Sequence, residues 1–137
     1  MFRKVYVEIG NICNLQCSFC PTVGRSKLRL NEAQLRSTLR QVKPLTDRVC
    51  FHLMGEPLSH PDFARFIRVA AEEGTPLEIT TNGTLLSPGN DEALLDPAVH
   101  QVNFSLQSFP DNFPAAVPSA YLAKIFAFTQ RALDARP

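Results

Sequence analysis

The chain has 137 residues, 45% hydrophobic and 20% charged, an ordinary soluble make-up of a size that suits one domain. Its 14 Lys+Arg against 13 Asp+Glu leave a formal net charge of +1, without the basic excess expected of a nucleic-acid binder. No apolar run approaches the ~20 residues a membrane span needs, and Met1–Glu8 lacks the apolar core of a signal peptide, so a soluble cytoplasmic domain is expected.

Strand-like runs fall at 4–10, 48–54, 76–82 and 101–108, with helical patterns between them. The first helical pattern opens on Asn31 and Gln34, spaced as a capping box, carries Leu35, Leu39 and Val42 on one face, and stops at Pro44. The second places Pro61 near its first turn, then Phe63, Phe66, Ile67, Ala70 and Ala71, with Gly74 as C-cap. The third is short, Asn90–Leu95, ending before Pro97. A loop punctuated by Pro110, Pro114 and Pro118 follows, then a helix whose predicted apolar stripe is Leu122, Ile125, Phe126, Thr129 and Leu133.

Strands alternating with helices predict right-handed βαβ crossovers and a parallel sheet. Parallel strands buried on both faces read as continuous apolar runs, whereas these alternate. Val49, Phe51 and Leu53 interleave with Cys50, His52 and Met54, and Val102, Phe104 and Leu106 with Asn103, Ser105 and Gln107. The expected fold is therefore α/β, a barrel-like sheet with helices outside and a polar interior. Glu8 projects inward in this register and needs a partner, for which His52 is a candidate; Cys50 reads as a small interior residue.

Cys13, Cys17 and Cys20 fall within one short segment directly after the first strand, while Cys50 stands apart. In β/α barrels the loops after strand C-termini carry the chemistry. Three thiolates at C-x3-C-x2-C spacing suit an iron–sulfur cluster, leaving one iron of a cubane open. Structural zinc wants a fourth ligand, for which Cys50, His52 and His60 are the candidates. Cys17 and Cys20 also form a C-x-x-C that could serve as a redox dithiol. Spacing alone leaves these three readings open.

Cys13-Asn14-Leu15-Gln16-Cys17-Ser18-Phe19-Cys20 resembles the C-x3-C-x-aromatic-C signature of the radical S-adenosylmethionine (radical SAM) superfamily. Met54-Gly55-Glu56-Pro57 is similar to that family's Gly-Glu-Pro motif, Thr81-Asn82-Gly83 to its Thr-Asn-Gly, and Val102–Ser108 to its fourth strand, all in the expected order. The resemblance implies a partial β/α barrel in which Cys13, Cys17 and Cys20 ligate a [4Fe–4S] cluster and S-adenosylmethionine chelates the fourth iron. It places Phe19 against the adenine and Gly55, Glu56 and Pro57 at the methionyl amino group, with Glu56 or its backbone as acceptor. Ser105 would contact ribose or carboxylate, and Asn82 would join the cofactor site. The implied reaction is one-electron cleavage of the sulfonium to a 5′-deoxyadenosyl radical that abstracts hydrogen from a substrate the sequence does not identify. An electron donor of flavodoxin or ferredoxin type is the implied partner. Arg25 and Lys27 are candidates to hold the cysteine loop or counter its charge.

Met54 replaces the first glycine of the commoner Gly-Gly-Glu-Pro form, and Gln107 lies where relatives carry another polar residue. An eight-unit barrel takes ~250 residues, about 31 per unit. The whole of 1–137 is thus expected to be the N-terminal portion of a radical SAM core, about four units of six. The look-alikes with a Cys-rich extension of SPASM type carry further segments beyond the barrel. A fragment, a barrel completed by another chain through an open sheet edge, and a degenerate iron–sulfur or zinc module without catalysis are the competing readings.

Overall fold

The structure, a computed structural model, describes residues 1–22 and 24–135. Its elements run β1 (Val5–Val7), α1 (Glu32–Val42), β2 (Val49–Phe51), α2 (Phe63–Glu72), β3 (Leu77–Thr81), α3 (Pro88–Leu94), β4 (Val99–Phe104), a short α4 (Ser108–Asn112) and α5 (Ser119–Ala135). The four strands form one parallel sheet in the order β1-β2-β3-β4. Sequential order with a helix in each crossover is the winding of a β/α barrel, here an open arc of it.

Local chemistry sets several element ends. The α1 capping box is formed: Asn31 Oδ1 accepts from the Gln34 amide at 2.9 Å, and Gln34 Oε1 accepts from the Asn31 amide at 2.9 Å. Gly74 ends α2 at φ +61°, a left-handed position that disfavours a side chain. Helix α2 starts at Phe63, so Pro61 stands just outside it; Pro57 instead opens a 3-10 turn, Pro57–Ser59. Helix α3 starts at Pro88, earlier than Asn90, because a proline at the first helical position loses no hydrogen bond. The proline-rich segment after β4 is not all loop, since Pro110 lies within α4.

Helices pack one face of the sheet. Phe51, Leu77 and Ile79 bury against Leu35 and Leu39 of α1 and Phe63, Phe66 and Ile67 of α2. The stripe of α5 keeps the predicted Ile125, buried, and Leu122, partly buried, but turns to bury Tyr121 and Phe128, while Phe126, Thr129 and Leu133 are exposed. Both stripes satisfy helical spacing. The ring of Phe128 meets Phe104 edge-on at 5.8 Å, and Tyr121 stacks on Phe109 at 4.3 Å, which fixes the rotation.

The opposite face is polar but partly covered. Cys50 is buried beside Tyr6 and Glu78 in the ladder. Glu78 accepts from Lys4 at 3.0 Å and from Asn103 at 3.0 Å. Strand β2 ends before the apolar alternation does: Leu53 has φ +105° and turns its side chain outward, 57% exposed. Beyond that turn the chain belongs to the site.

Candidate functional site

The cysteine loop leaves β1 and returns beside it. Its neck is closed by Leu30 N–H donating to Ile9 O at 2.9 Å and Asn11 N–H donating to Leu28 O at 3.1 Å, around a bridge between Gly10 and Arg29. The buried Asn11 side chain reinforces it, accepting from the Leu28 amide at 2.8 Å and donating to Ser26 O at 2.8 Å. A loop so tied is held at its base, with the three cysteines beyond the neck.

Cys13, Cys17 and Cys20 line one cavity of about 480 Å³, with Lys27, Leu53, Met54 and Gly55 on its other walls. All three thiols are free. Burial is the main influence pushing the Cys13 and Cys20 thiols above their ordinary range. Cys50, His52 and His60 do not line this cavity. The His60 ring is spent on Leu30 O and the Asp62 amide, each at 3.1 Å, and His52 lies against Tyr6, ring centroids 5.9 Å apart. The partner of Glu8 is Arg25, at 2.9 Å, together with the Met54 amide at 3.1 Å, so His52 does not fill that place. Lys27 reaches Asn11 O at 3.5 Å.

The segment after β2 is pressed onto the loop neck. Gly55 has φ +83°, and a Cβ there would sit 2.4 Å from Gly10 O. The next amide, Glu56 N–H, donates to Ile12 O at 2.9 Å, and Ser59 Oγ donates to the same oxygen at 3.1 Å. Only glycine permits this approach.

The Glu56 carboxylate faces inward, not toward the cavity. Oε1 accepts from Thr81 Oγ1 at 2.6 Å and the Leu58 amide at 3.0 Å, and Oε2 accepts from the Asn82 amide at 2.7 Å. Burial pushes its pKa up, opposed by these hydrogen bonds. Glu56 caps the turn at Pro57–Ser59 through its bond from the Leu58 amide. Pro57 is buried in that turn.

Asn82 is a buried hub. It donates through Nδ2 to Asn14 Oδ1 at 3.0 Å, lies 3.9 Å from Cys13 Sγ, and accepts from the Thr84 amide at 2.9 Å. Its carbonyl accepts from Tyr121 OH at 2.7 Å. Ser105 follows β4, half-buried, its amide donating to Thr81 O at 2.8 Å. The Phe19 ring is 51% exposed at the loop tip.

Two residues that sequence reasoning passed over reach the loop from α4. Asp111 accepts from the Ser18 amide at 2.6 Å and from Ser18 Oγ at 2.7 Å. Asn112 accepts from the Gln16 amide at 2.8 Å and donates to Cys17 Sγ at 3.1 Å. They lie more than ninety residues from the loop in sequence, so no local pattern marks them; only the topology brings them there.

Among the described residues no three His, Cys, Asp or Glu side chains converge tightly enough to hold a single metal ion. Three thiols lining one cavity suit a polynuclear cluster, whose irons are held at separate corners. The donor set is all sulfur, the usual protein ligand of iron–sulfur clusters.

The radical SAM superfamily profile matches residues 7–137, and the chain belongs to that superfamily. Members use a [4Fe–4S] cluster and S-adenosylmethionine. A tungsten-containing aldehyde ferredoxin oxidoreductase cofactor-modifying protein of Pyrococcus furiosus is 30% identical over 115 residues, 79% of this chain and 32% of its own length. An AdoMet-dependent heme synthase of Methanosarcina barkeri is 28% identical over 126 residues, 87% of this chain and 36% of its own. The crystal structure of Streptococcus suis SuiB bound to S-adenosylmethionine superposes with a TM-score of 0.70 at 20% identity, covering 94% of this chain and 32% of SuiB. The chain thus spans about a third of each of these proteins. None of the described helices is long and apolar enough to cross a membrane.

Proposed function

We propose that this chain is the cofactor-binding part of a radical SAM enzyme, with Cys13, Cys17 and Cys20 ligating the [4Fe–4S] cluster and Gly55–Pro57 forming the edge that receives S-adenosylmethionine. The observation that carries the reading is the single cavity walled by the three thiols and Gly55. When bound, the two cofactors supply reductive cleavage of the sulfonium to a 5′-deoxyadenosyl radical for hydrogen abstraction.

The residues of this chain bind and position. Because the Glu56 carboxylate is spent on Thr81, Asn82 and Leu58, it shapes the strand ends and leaves the methionyl amino group to the main chain beside it. Asn82 acts at one remove, through Asn14 and the Cys13 side of the loop. Ser105 offers its hydroxyl to ribose or carboxylate, and Phe19 folds against the adenine. Lys27, on the cavity wall, counters the negative charge of a thiolate-ligated cluster. The substrate and a small electron-transfer donor, flavodoxin or ferredoxin in type, are its partners.

The outer edge of β4 is completed by further strands, either in a longer chain or from a second one. A groove of about 280 Å³ beside that edge, lined by Val102, Phe104 and Phe128, supports this.

Anaerobic reconstitution with iron and sulfide tests the reading. A brown product that forms 5′-deoxyadenosine under strong reductant, and loses this on Cys17→Ala, is expected. A colourless product without iron overturns it, and zinc in that product selects the structural-metal alternative.

A further inference from the structure

Cys17 is the middle cysteine of the loop, and its sulfur meets a side chain from a distant element. Asn112 Nδ2 stands 3.1 Å from Cys17 Sγ and 2.9 Å from Ser108 O, while its Oδ1 lies 2.8 Å from the Gln16 amide nitrogen. This fixes the orientation of the amide group. The Gln16 N–H can only donate, so it must face the oxygen, and the two amide hydrogens are left for the carbonyl and the sulfur. Asp111 adds a second hold, both carboxylate oxygens accepting from Ser18. The residues flanking Cys17 on each side are therefore gripped through their backbone amides, and the sulfur between them faces an N–H donor.

We propose that Asn112 and Asp111 are positioning residues for the cysteine loop, and that the Asn112 N–H raises the reduction potential of a cluster held by Cys17. The inference rests on the reading of Cys17 as a ligand. Hydrogen bonds to ligand sulfur stabilise the more negative, reduced state of an iron–sulfur cluster and so raise its potential. The position of the donor at the end of α4 ties this tuning to the element that follows β4, the strand from which Ser105 approaches the same region.

Two variants separate grip from tuning. Asn112→Asp keeps an oxygen for the Gln16 amide but replaces the N–H at the sulfur with a carboxylate. Asn112→Leu removes both. In the apoprotein, amide hydrogen exchange at Gln16 is expected to rise about tenfold in Asn112→Leu, the effect of one lost hydrogen bond, and to change little in Asn112→Asp. In the reconstituted protein, a redox titration followed by electron paramagnetic resonance is expected to show the reduced-to-oxidised ratio at fixed potential falling about tenfold in Asn112→Leu, which removes the N–H without adding charge, and at least as far in Asn112→Asp, whose carboxylate adds its own. That fall equals a shift of about 59 mV for a one-electron couple. Unchanged exchange in Asn112→Leu overturns the grip, whether or not a cluster is present. A wild-type potential in Asn112→Leu overturns the tuning alone. Wild-type protein that takes up no cluster overturns the reading of Cys17 as a ligand, and the tuning with it, while the exchange measurement still decides the grip.

Discussion

At the scale of single residues, Gly55 is where backbone geometry and site meet. Its positive φ and the 2.4 Å approach a Cβ would make to Gly10 O leave no room for alanine, because the obstacle is backbone. Gly55→Ala is expected to cost about 1–3 kcal/mol of stability and to open the cysteine loop from the Gly-Glu-Pro segment. A thermal melt together with iron content after reconstitution checks this; a variant with wild-type melting and iron contradicts it. Glu56 is the second such residue. Glu56→Gln preserves shape but brings an amide donor where three donors already converge, so one meets no acceptor. The expected loss is about 1–3 kcal/mol, read from urea unfolding, with an unchanged midpoint as the contrary result. The sequence motif identifies Gly55 and Glu56 without distinguishing what each does. A glutamate beside a cofactor motif suggests a ligand contact, and only the three-dimensional placement of Thr81 and Asn82 reveals that its carboxylate is already occupied.

At the scale of elements, α1 and α2 are joined by a charged lattice as well as by apolar packing. Arg36 binds Glu32, Glu72 and Glu73, Arg65 binds Glu32 and Glu72, and Arg40 binds Glu73. Hydrogen bonds from the arginines hold Glu32 and Glu73 down at about 2. Because these folded values lie below the ordinary carboxylate value of 4.5, the stabilisation is complete above that pH and is lost as pH falls toward 2. Thermal midpoints measured across that window are expected to fall less steeply in Arg36→Met than in wild type, and the difference to shrink in high salt, since these half-buried pairs still face solvent on one side. Parallel slopes contradict the argument. Beneath the lattice, Phe66 is fully buried, and Phe66→Ala is expected to cost about 3–5 kcal/mol. The α1 cap and the Gly74 stop were legible because a few adjacent residues determine them. The face of α5 was legible in part: Leu122 and Ile125 lie on it, but Tyr121 and Phe128 fit the period as well as Phe126 and Leu133, and contacts with Phe104 and Phe109 choose between them. Helix α4 was hidden by Pro110, which a helix tolerates in its first turn.

At the scale of the whole molecule, four strands in sequential order bring every motif to one end of the sheet, so that residues from the β1, β2, β3 and β4 ends meet around the cysteine loop. The order of the motifs was readable along the chain; the stitching between them was not, since it joins residues 25 to 96 positions apart. The sheet has two outer strands, β1 and β4, and an unpaired strand edge invites another. The 137-residue chain produced alone is expected to self-associate, and Val102→Lys, which sets a charge beside that edge, to reduce this. Gel filtration of wild type as a clean monomer contradicts the expectation. Cleavage of S-adenosylmethionine by a cluster held on the three loop cysteines is the proposal on which the other site roles depend. Its most direct measurement is 5′-deoxyadenosine formed by the anaerobically reconstituted chain under strong reductant, in wild type and in Cys17→Ala. Nucleoside is expected from the wild type and none from the variant. Equal nucleoside from both, or wild-type protein that binds no iron, would contradict it.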